Sequence, residues 1–518
     1  MAEALNPGGE PLLLGDVQLV TPGLAGQAEL YPAGVPGMRA EEQSTDAFHE
    51  TLRRVGAVQQ MTVVISGATE LGTSSGTRGG GGGDEVVVNV PAPGDGFAQV
   101  LLYTAEDGTQ TWHLPQEGAQ RPGAMATRGS ARLTYRVPRA VFPPQGVDPA
   151  TRGLLAALGK KILTVIAFRL VETGVEFVAE KIATRWEEKN RPYRLRSFTP
   201  DDYTGAGADL TAQQAAGMTG GRALLFVHGT FSLASSAFGG LPQPVFTKLS
   251  DAYEGRVLAF DHPTLSQSPT DNARRLGEML RAVLPAGQAL RADVVTHSRG
   301  GLVVREACEY AGELGLADVL DVERVVMVGV PNAGTALADV AHWKALIDRM
   351  TNILQFMPDN PVTDVLDAVL TVLEHLAVGA VRGLDGLTAM DPQGPYLRER
   401  LNGSAVATTA RYFAVASDYH PAQGSPLLRV ATDGAVDLVF GDVPNDLVVP
   451  RDGVFTVAGC TGFPIAQPLL FGRDAAVTHL GYWSETPLAD ELPQWLAREA
   501  VGERSPGAVA GQPGPAPG

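Results

Sequence analysis

The chain has 518 residues, which is long enough for two or more domains with a sizeable core. Its formal net charge is −17 and its isoelectric point is near 5.0, with the acidic residues spread along the chain. This charge argues against nucleic acids and anionic membranes as partners, because both repel an acidic surface.

Three features of the sequence bear on its compartment. The two cysteines, Cys308 and Cys460, are expected to be free, buried thiols in a reducing compartment. The alternative is a disulfide bond between them. The N-terminal Met1-Ala2-Glu3-Ala4 carries an acid and no basic region, so no secretory signal is expected. The most apolar run, 162–168, is far shorter than the roughly 18 residues of a membrane span. We therefore expect a cytoplasmic protein without a transmembrane segment.

The N-terminal third of the chain has two predicted parts. Residues 1–51 are rich in Pro, Gly and Ala and are expected to be loosely ordered. Short β-like runs then predict a small antiparallel β domain over 52–142, with strands at 61–65, 85–90, 98–103 and 131–137. The five glycines at 79–83 predict a mobile loop and not a phosphate loop, because no Lys-Ser/Thr and no helix follow them.

Residues 149–190 have apolar side chains at helical spacing. The positions are Leu154, Leu155, Leu158, Ile162, Ile166, Leu170 and Phe177. This pattern predicts one long amphipathic helix that connects the β domain to the rest of the chain and packs on both.

From Arg222 onward, apolar runs alternate with helical patterns. The runs lie at 223–227, 257–260, 293–295, 325–330 and 412–416. Continuous apolar strands with helical crossovers predict an α/β domain with a mostly parallel sheet covered on both faces, over 205–503. Residues 504–518 are rich in Pro, Gly and Ala and predict a disordered tail.

The first of these runs ends in Phe226-Val227-His228-Gly229-Thr230-Phe231. A glycine at that point lets the backbone approach a substrate oxygen. The amide of Thr230 or Phe231, together with that of Arg299, is a candidate oxyanion hole. His228 is predicted to shape this loop and not to act as a base.

A second candidate is Thr296-His297-Ser298-Arg299-Gly300, which lies between an apolar run and a helical pattern. A serine at a sharp strand-to-helix turn is exposed to substrate above a helix N-terminus, which favours negative charge. Gly300 and Gly301 keep the turn open, whereas Thr296 is bulkier than the glycine that this pattern usually carries. We predict that Ser298 is a nucleophile.

Residues 336–390 predict a helical insertion. Leu346 to Met357 contribute one apolar face, and 362–376 contribute another. The insertion could be a mobile lid or a fixed cap that completes an acyl pocket, and the sequence does not separate these two.

A serine nucleophile needs a base and an acid that orients the base. The histidines after Ser298 are His342, His375, His420 and His479. In a Ser–acid–His order the base comes last, so His479 is the predicted base. The residues alone do not decide which aspartate is the acid, and the candidates in loops are Asp418, Asp433, Asp437 and Asp446.

With these motifs, the region 222–485 resembles the α/β-hydrolase superfamily, on its lipase and esterase-like branch. Besides the serine turn and His228-Gly229-Thr230, three stretches carry the resemblance: Val330-Pro331-Asn332-Ala333-Gly334-Thr335, residues 387–402, and Asn445-Asp446-Leu447-Val448-Val449-Pro450. The last resembles the acid loop of such lipases, with Leu447 in place of a glycine. The resemblance therefore implies Asp446 as the acid.

The expected function is that of a serine hydrolase acting on carboxylic esters, with Ser298, His479 and Asp446 as its triad and with no metal or organic cofactor. Amides, thioesters and acyl transfer would use the same machinery. Two alternatives remain open: a peptidase on this fold, and a non-catalytic scaffold whose β domain binds a protein partner. Thr296 and Leu447, which stand where the serine turn and the acid loop of such lipases usually have glycine, favour the non-catalytic scaffold.

Overall fold

In the computed structural model, the described residues are 1–32, 51–52, 54–71, 85–116, 132–141, 160–169, 181–356, 362–380, 382–406, 408–420, 437–440, 442–458, 460, 463 and 465–497. The predicted glycine loop at 79–83, the predicted tail at 504–518 and the candidate acid Asp433 lie outside these residues.

The N-terminal domain is a sandwich of two antiparallel sheets. Its described strands are β1 (Glu3–Ala4), β2 (Leu12–Leu14), β3 (Val17–Val20), β4 (Leu24–Pro32), β5 (Ala57–Glu70), β6 (Glu85–Pro91), β7 (Phe97–Thr104), β8 (Gln110–His113), β9 (Arg132–Pro138) and β10 (Lys160–Arg169). The larger sheet has the order β1-β4-β5-β10-β7-β8, and the smaller has the order β2-β3-β6-β9. Apolar side chains from both sheets, such as Ile65 and Tyr135, share one buried core. The predicted antiparallel β domain is therefore present.

Strand β10 corrects the prediction of a long connecting helix over 149–190. It lies inside the larger sheet, between β5 and β7. Both of its faces are buried: Leu163 and Val165 face the sandwich core, whereas Ile166 and Phe168 join the core of the second domain. A strand covered on both faces shows no polar alternation, and its apolar residues therefore matched helical spacing by chance.

The first 32 residues also differ from their prediction. Strands β1 to β4 occupy a segment that was expected to be loosely ordered, and Leu14, Val17 and Leu24 are buried. The strands are short and are joined by tight turns in which Gly15 and Gly23 adopt positive φ angles of 57° and 70°. The turn glycines that make the composition look disordered are therefore part of the sandwich.

The second domain is built on a seven-stranded sheet. Its strands are β11 (Arg194–Ser197), β12 (Ala223–Val227), β13 (Val257–Asp261), β14 (Leu290–His297), β15 (Leu320–Val328), β16 (Arg411–Ser417) and β17 (Leu469–Phe471), in the order β11-β13-β12-β14-β15-β16-β17. Strand β11 is antiparallel to β13, and the other neighbours run parallel. The predicted parallel sheet is confirmed, and this strand order with a serine turn after β14 is that of the α/β-hydrolase fold.

Helices cover this sheet. They are α1 (Ile182–Asn190), α2 (Ala212–Met218), α3 (Ala234–Phe238), α4 (Gln243–Ala252), α5 (Pro269–Val283), α6 (Gly300–Glu309), α7 (Trp343–Phe356), α8 (Val362–Ala377), α9 (Asp385–Thr388), α10 (Asp437–Phe440) and α11 (Thr486–Ala497). A π-helical turn lies at Tyr396–Leu401, and short 3-10 turns lie at Ala336–Ala338, Val340–His342, Asp452–Val454, Arg473–Ala475 and Tyr482–Ser484. Within the described ranges, no helix is long and apolar enough to span a membrane.

The two insertion helices, α7 and α8, lie between β15 and β16, as the two apolar faces predicted. Their buried residues, among them Ile347, Ile353 and Leu373, belong to the main core of the second domain. The insertion is therefore part of this core, and its helices also contact β7 and β8 of the sandwich. Cys308 and Cys460 are both free thiols.

Candidate active site

Ser298 lies in the sharp turn between β14 and α6. Its φ angle is +53°, in the left-handed region that non-glycine residues rarely occupy, and its amide donates a 2.9 Å hydrogen bond to the carbonyl of Val328. A Cβ atom on Gly300 would lie 2.3 Å from the carbonyl oxygen of Val227, so only glycine fits there. Strained backbone of this kind is found at functional sites, where the surrounding structure holds it.

Thr296, the departure from the usual glycine, is fully buried at the end of β14. Its hydroxyl donates a hydrogen bond of 3.1 Å to the carbonyl of Val326 on β15, so the extra polar atom is satisfied. On the other side of the turn, a Cβ on Gly229 would lie 2.5 Å from the Cβ of Ser298. The glycine after β12 thus allows its loop to lie directly against the serine.

The structure brings Ser298, His479 and Asp446 together. The Nε2 atom of His479 lies 2.9 Å from the Oγ of Ser298, and its Nδ1 atom lies 2.8 Å from the Oδ2 of Asp446. All three residues are at most 4% exposed. Because an ionised carboxylate only accepts hydrogen bonds, Nδ1 carries the ring proton and Nε2 is left to accept from the serine hydroxyl.

The carboxylate of Asp446 accepts four hydrogen bonds. Oδ1 accepts from the amides of Val448 at 3.0 Å and Val449 at 2.7 Å, and Oδ2 accepts from His479 and from the hydroxyl of Tyr482 at 2.8 Å. Burial raises the pKa of Asp446, but the charge and hydrogen bonds of His479 and the two amides outweigh it, so the net pKa is lowered. The carboxylate is therefore ionised at neutral pH.

Three residues around this cluster were not identified from the sequence. Tyr482 is fully buried and donates to Asp446. His297 donates from Nε2 to the carbonyl of His479 over 2.9 Å. Gly329 has a φ of +58°, and a Cβ there would lie 3.3 Å from the Oδ2 of Asp446. Tyr482 and His297 each lie within three residues of a predicted site residue, and this proximity is the one weak indication of their place that the sequence offers. Nothing in the sequence around Gly329 indicates that it lies beside Asp446.

The rejected candidates lie elsewhere. Asp418 follows β16, and its Oδ2 lies 3.1 Å from the Nε of Arg473 and 4.0 Å from Nη1 of Arg451. His420 is exposed, and its Nδ1 lies 3.9 Å from Asp418. Asp418 and His420 thus belong to a charged cluster at the end of the sheet. Asp437 begins α10.

The loop after β12 lines the same cavity as the serine. Thr230 and Phe231 face this cavity, and Phe231 is held at a φ of +65°. His228 donates from Nδ1 to the carbonyl of Gly229 at 3.0 Å, and its Nε2 accepts from the amide of His262 at 3.1 Å. Burial lowers the pKa of His228 to about 4, so the ring is neutral. These bonds give His228 the loop-shaping place that was predicted for it.

Arg299 is the residue that caps the N-terminus of α6, directly after the serine. Its side chain is fully buried and donates from Nε to the carbonyl of Gly386 at 2.8 Å, and from Nη2 to the carbonyl of Gln267. Burial lowers its pKa to about 10, which leaves it charged at neutral pH. The side chain therefore anchors the serine turn, while its backbone amide stays at the positive end of the helix.

The cavity above Ser298 has a mainly apolar lining. Side chains from the insertion, from the acid loop and from the residue after His479 form its walls: Leu346, Met350, Met390, Val448, Val449 and Leu480. An apolar lining beside a hydrogen-bonded serine and histidine suits a hydrocarbon group whose carbonyl lies near the serine.

Similar structures were found among solved proteins. One is the mature lipase BlEst2 of Bacillus licheniformis, at 18% identity over 53% of this chain and 91% of that chain, with a TM-score of 0.32. Another is lipase 1 of Pelosinus fermentans, at 13% identity over 53% and 98%, with a TM-score of 0.36. A metagenomic carboxyl esterase has 16% identity over 54% and 76%, with a TM-score of 0.31. Similarity this low assigns no activity to the chain.

The comparison with curated proteins found no significant match. Among family models, residues 190–497 match the one described as "Domain of unknown function (DUF7379)". The match spans more than half of the chain and includes every residue of the cluster around Ser298. The chain therefore belongs to the DUF7379 family, and its matched region has the α/β-hydrolase fold.

Proposed function

We propose that this protein is a serine hydrolase that cleaves carboxylic esters through an acyl-enzyme intermediate. The observation that carries the proposal is the hydrogen-bonded chain from Asp446 through His479 to Ser298, at 2.8 and 2.9 Å, beside an apolar cavity. A serine hydroxyl is a weak nucleophile unless a base accepts its proton, and this arrangement provides that base.

In the proposed reaction, the Oγ of Ser298 attacks the acyl carbonyl carbon while Nε2 of His479 takes the hydroxyl proton. The negative charge that develops on the carbonyl oxygen is stabilised by backbone amides of Thr230 or Phe231 and of Arg299. The imidazolium then gives its proton to the leaving alcohol. In the second half of the reaction, water attacks the acyl carbon while His479 takes a proton from it, and the imidazolium returns that proton to the Oγ of Ser298 as the carboxylic acid leaves. Asp446 orients the ring and stabilises its charged form.

Carboxylic esters are the favoured substrate class because the cavity walls are apolar and offer little to bind a peptide backbone. Of the two sequence features that favoured a non-catalytic scaffold, Thr296 has a local explanation, because its hydroxyl is bonded to the neighbouring strand. Leu447 adopts a φ of +81°, which favours glycine, and the amides of Val448 and Val449 after it still donate to the carboxylate of Asp446.

A panel of p-nitrophenyl esters of graded acyl length tests the proposal. The wild-type protein should hydrolyse at least some of them, and Ser298→Ala should lose about 10³-fold or more of kcat. Ser250→Ala, at a buried serine on α4, is the matched control and should keep its activity. Turnover that survives Ser298→Ala, or a wild type that is inactive on every ester, would refute the proposal.

A further inference from the structure

Side chains of helix α7, in the insertion, form hydrogen bonds with the edge of strand β8 that faces away from β7. The amide of Gln110 donates to Oδ1 of Asn352 at 2.9 Å, and Nδ2 of Asn352 donates back to the carbonyl of Gln110 at 2.6 Å. The amide of Trp112 donates to Oδ1 of Asp348 at 2.8 Å. An edge strand leaves such backbone groups without a sheet partner, and here the helix supplies polar side chains in place of another strand.

This contact is buried. Trp112 and Asn352 are fully buried, and the indole Nε1 of Trp112 donates to the hydroxyl of Thr351 at 3.0 Å. If α7 moved away from β8, these donors and acceptors would lose their partners inside the protein, which is costly. The β sandwich therefore holds the insertion helix in one position.

The opposite side of α7 faces the candidate active site. Leu346 and Met350 line the cavity above Ser298. Arg349, which is 2% exposed, donates from Nη1 to the carbonyl of Leu447 at 2.5 Å. Its guanidinium also lies over the ring of Phe440, with 4.8 Å to the ring centroid. Residues three and four apart share a helix face, so 346, 349 and 350 point away from 348, 351 and 352.

Leu447 is the residue on which this contact acts. It follows Asp446 in the acid loop, and its φ of +81° is unfavourable for a side chain larger than glycine. This turn directs the amides of Val448 and Val449 toward the carboxylate of Asp446. A strained turn persists only when its surroundings hold it, and the bond from Arg349 to the carbonyl of Leu447 is one such restraint.

We propose that the N-terminal β sandwich is a positioning element for the active site, acting through α7. Trp112 and Asn352 fix the helix to β8, and the helix fixes the acid loop through Arg349 and the pocket wall through Met350. The inference rests on the proposed hydrolase function, and it assigns the insertion as a fixed wall whose position depends on the sandwich.

The test uses the full chain and a double-mutant cycle in kcat. Asn352→Ala removes both bonds to the Gln110 backbone, and Arg349→Met removes the bond to Leu447 while keeping most of the apolar stem. Each should lower kcat by about 10-fold or more on short and long esters alike, with KM for p-nitrophenyl acetate changing less than kcat. Because both act through one helix, the double variant should lose much less than the product of the two losses.

Gln110→Ala is the matched control, since it keeps the backbone N–H and C=O that Asn352 binds. It should retain kcat within about twofold, in line with other partly exposed substitutions away from a site. If Asn352→Ala does not fold, as judged by circular dichroism, Trp112→Phe replaces it in the cycle. That variant keeps an aromatic ring in the core and removes the Nε1 donor to Thr351 together with the five-membered ring of the indole.

Each outcome separates this proposal from the proposed function. An active wild type with strictly multiplicative losses, or with Asn352→Ala no worse than Gln110→Ala, would overturn the positioning role alone. A wild type that neither hydrolyses esters nor reacts with a fluorophosphonate at Ser298 would overturn the hydrolase function and, with it, the positioning role. Losses in kcat that overlap in the double variant would support the role.

Discussion

Replacement of Asp446 by asparagine would test the hydrogen-bond direction in the cluster. The two amides at 3.0 and 2.7 Å would keep the asparagine oxygen at the Oδ1 position, so its NH₂ group would face His479 and Tyr482. The ring of His479 would then have to present an unprotonated Nδ1 to that donor. Its proton would move to Nε2, which could no longer accept from Ser298.

The expected loss for Asp446→Asn is about 10³ to 10⁴ in kcat, which corresponds to about 4 to 5.5 kcal/mol in the activation barrier. Initial rates on p-nitrophenyl acetate would measure it, with circular dichroism to check folding. Asp418→Asn makes the same chemical change in the charged cluster with Arg473 and should stay within about twofold. Retention of more than a tenth of kcat in Asp446→Asn, or a larger loss in Asp418→Asn, would refute the assignment.

Three further predictions follow from individual side chains. His479→Ala should abolish ester turnover, whereas His420→Ala should retain it because that ring is exposed beside Asp418; initial rates showing the reverse would move the base to His420. Met350→Ala should widen the cavity and raise kcat/KM for long acyl esters relative to acetate, and equal changes across the p-nitrophenyl series would contradict its place in the pocket wall. Burial raises the pKa of Glu374 from its ordinary 4.5 to about 8, so the folded protein keeps a proton that the unfolded chain releases, and stability falls as the pH rises from 4.5 to 8. Glu374→Gln should therefore stabilise the protein by about 4 kcal/mol at pH 8 and by little at pH 4.5 in urea titrations, and an equal gain at both pH values would argue against a raised pKa.

Much of the hydrolase domain could be predicted from sequence because its signals are local. The serine turn favours small residues at fixed spacings around the serine, and Ser298 has Gly300 and Gly301 after it, although Thr296 replaces the usual glycine before it. His479 could be predicted from chain order alone. Asp446 needed more, since only the resemblance of its loop to lipase acid loops separated it from Asp418.

The remaining features depend on contacts between distant parts of the chain. Strand β10 matched a helical pattern because one of its faces packs against another domain, which no local window reveals. Arg349 and Leu447 are 98 residues apart, and Asn352 and Gln110 are 242 residues apart. The role of α7 between the sandwich and the acid loop is therefore visible only in the folded chain.

The central claim is that Ser298 is an activated nucleophile, and reaction with a fluorophosphonate tests it most directly. Such probes form a covalent bond with a serine whose proton a neighbouring base accepts. Mass spectrometry of proteolytic peptides should find the adduct on Ser298 in the wild type, and Ser298→Ala should remain unlabelled. An adduct on a different serine, with Ser298 unmodified, or no adduct on the folded wild type, would contradict the claim.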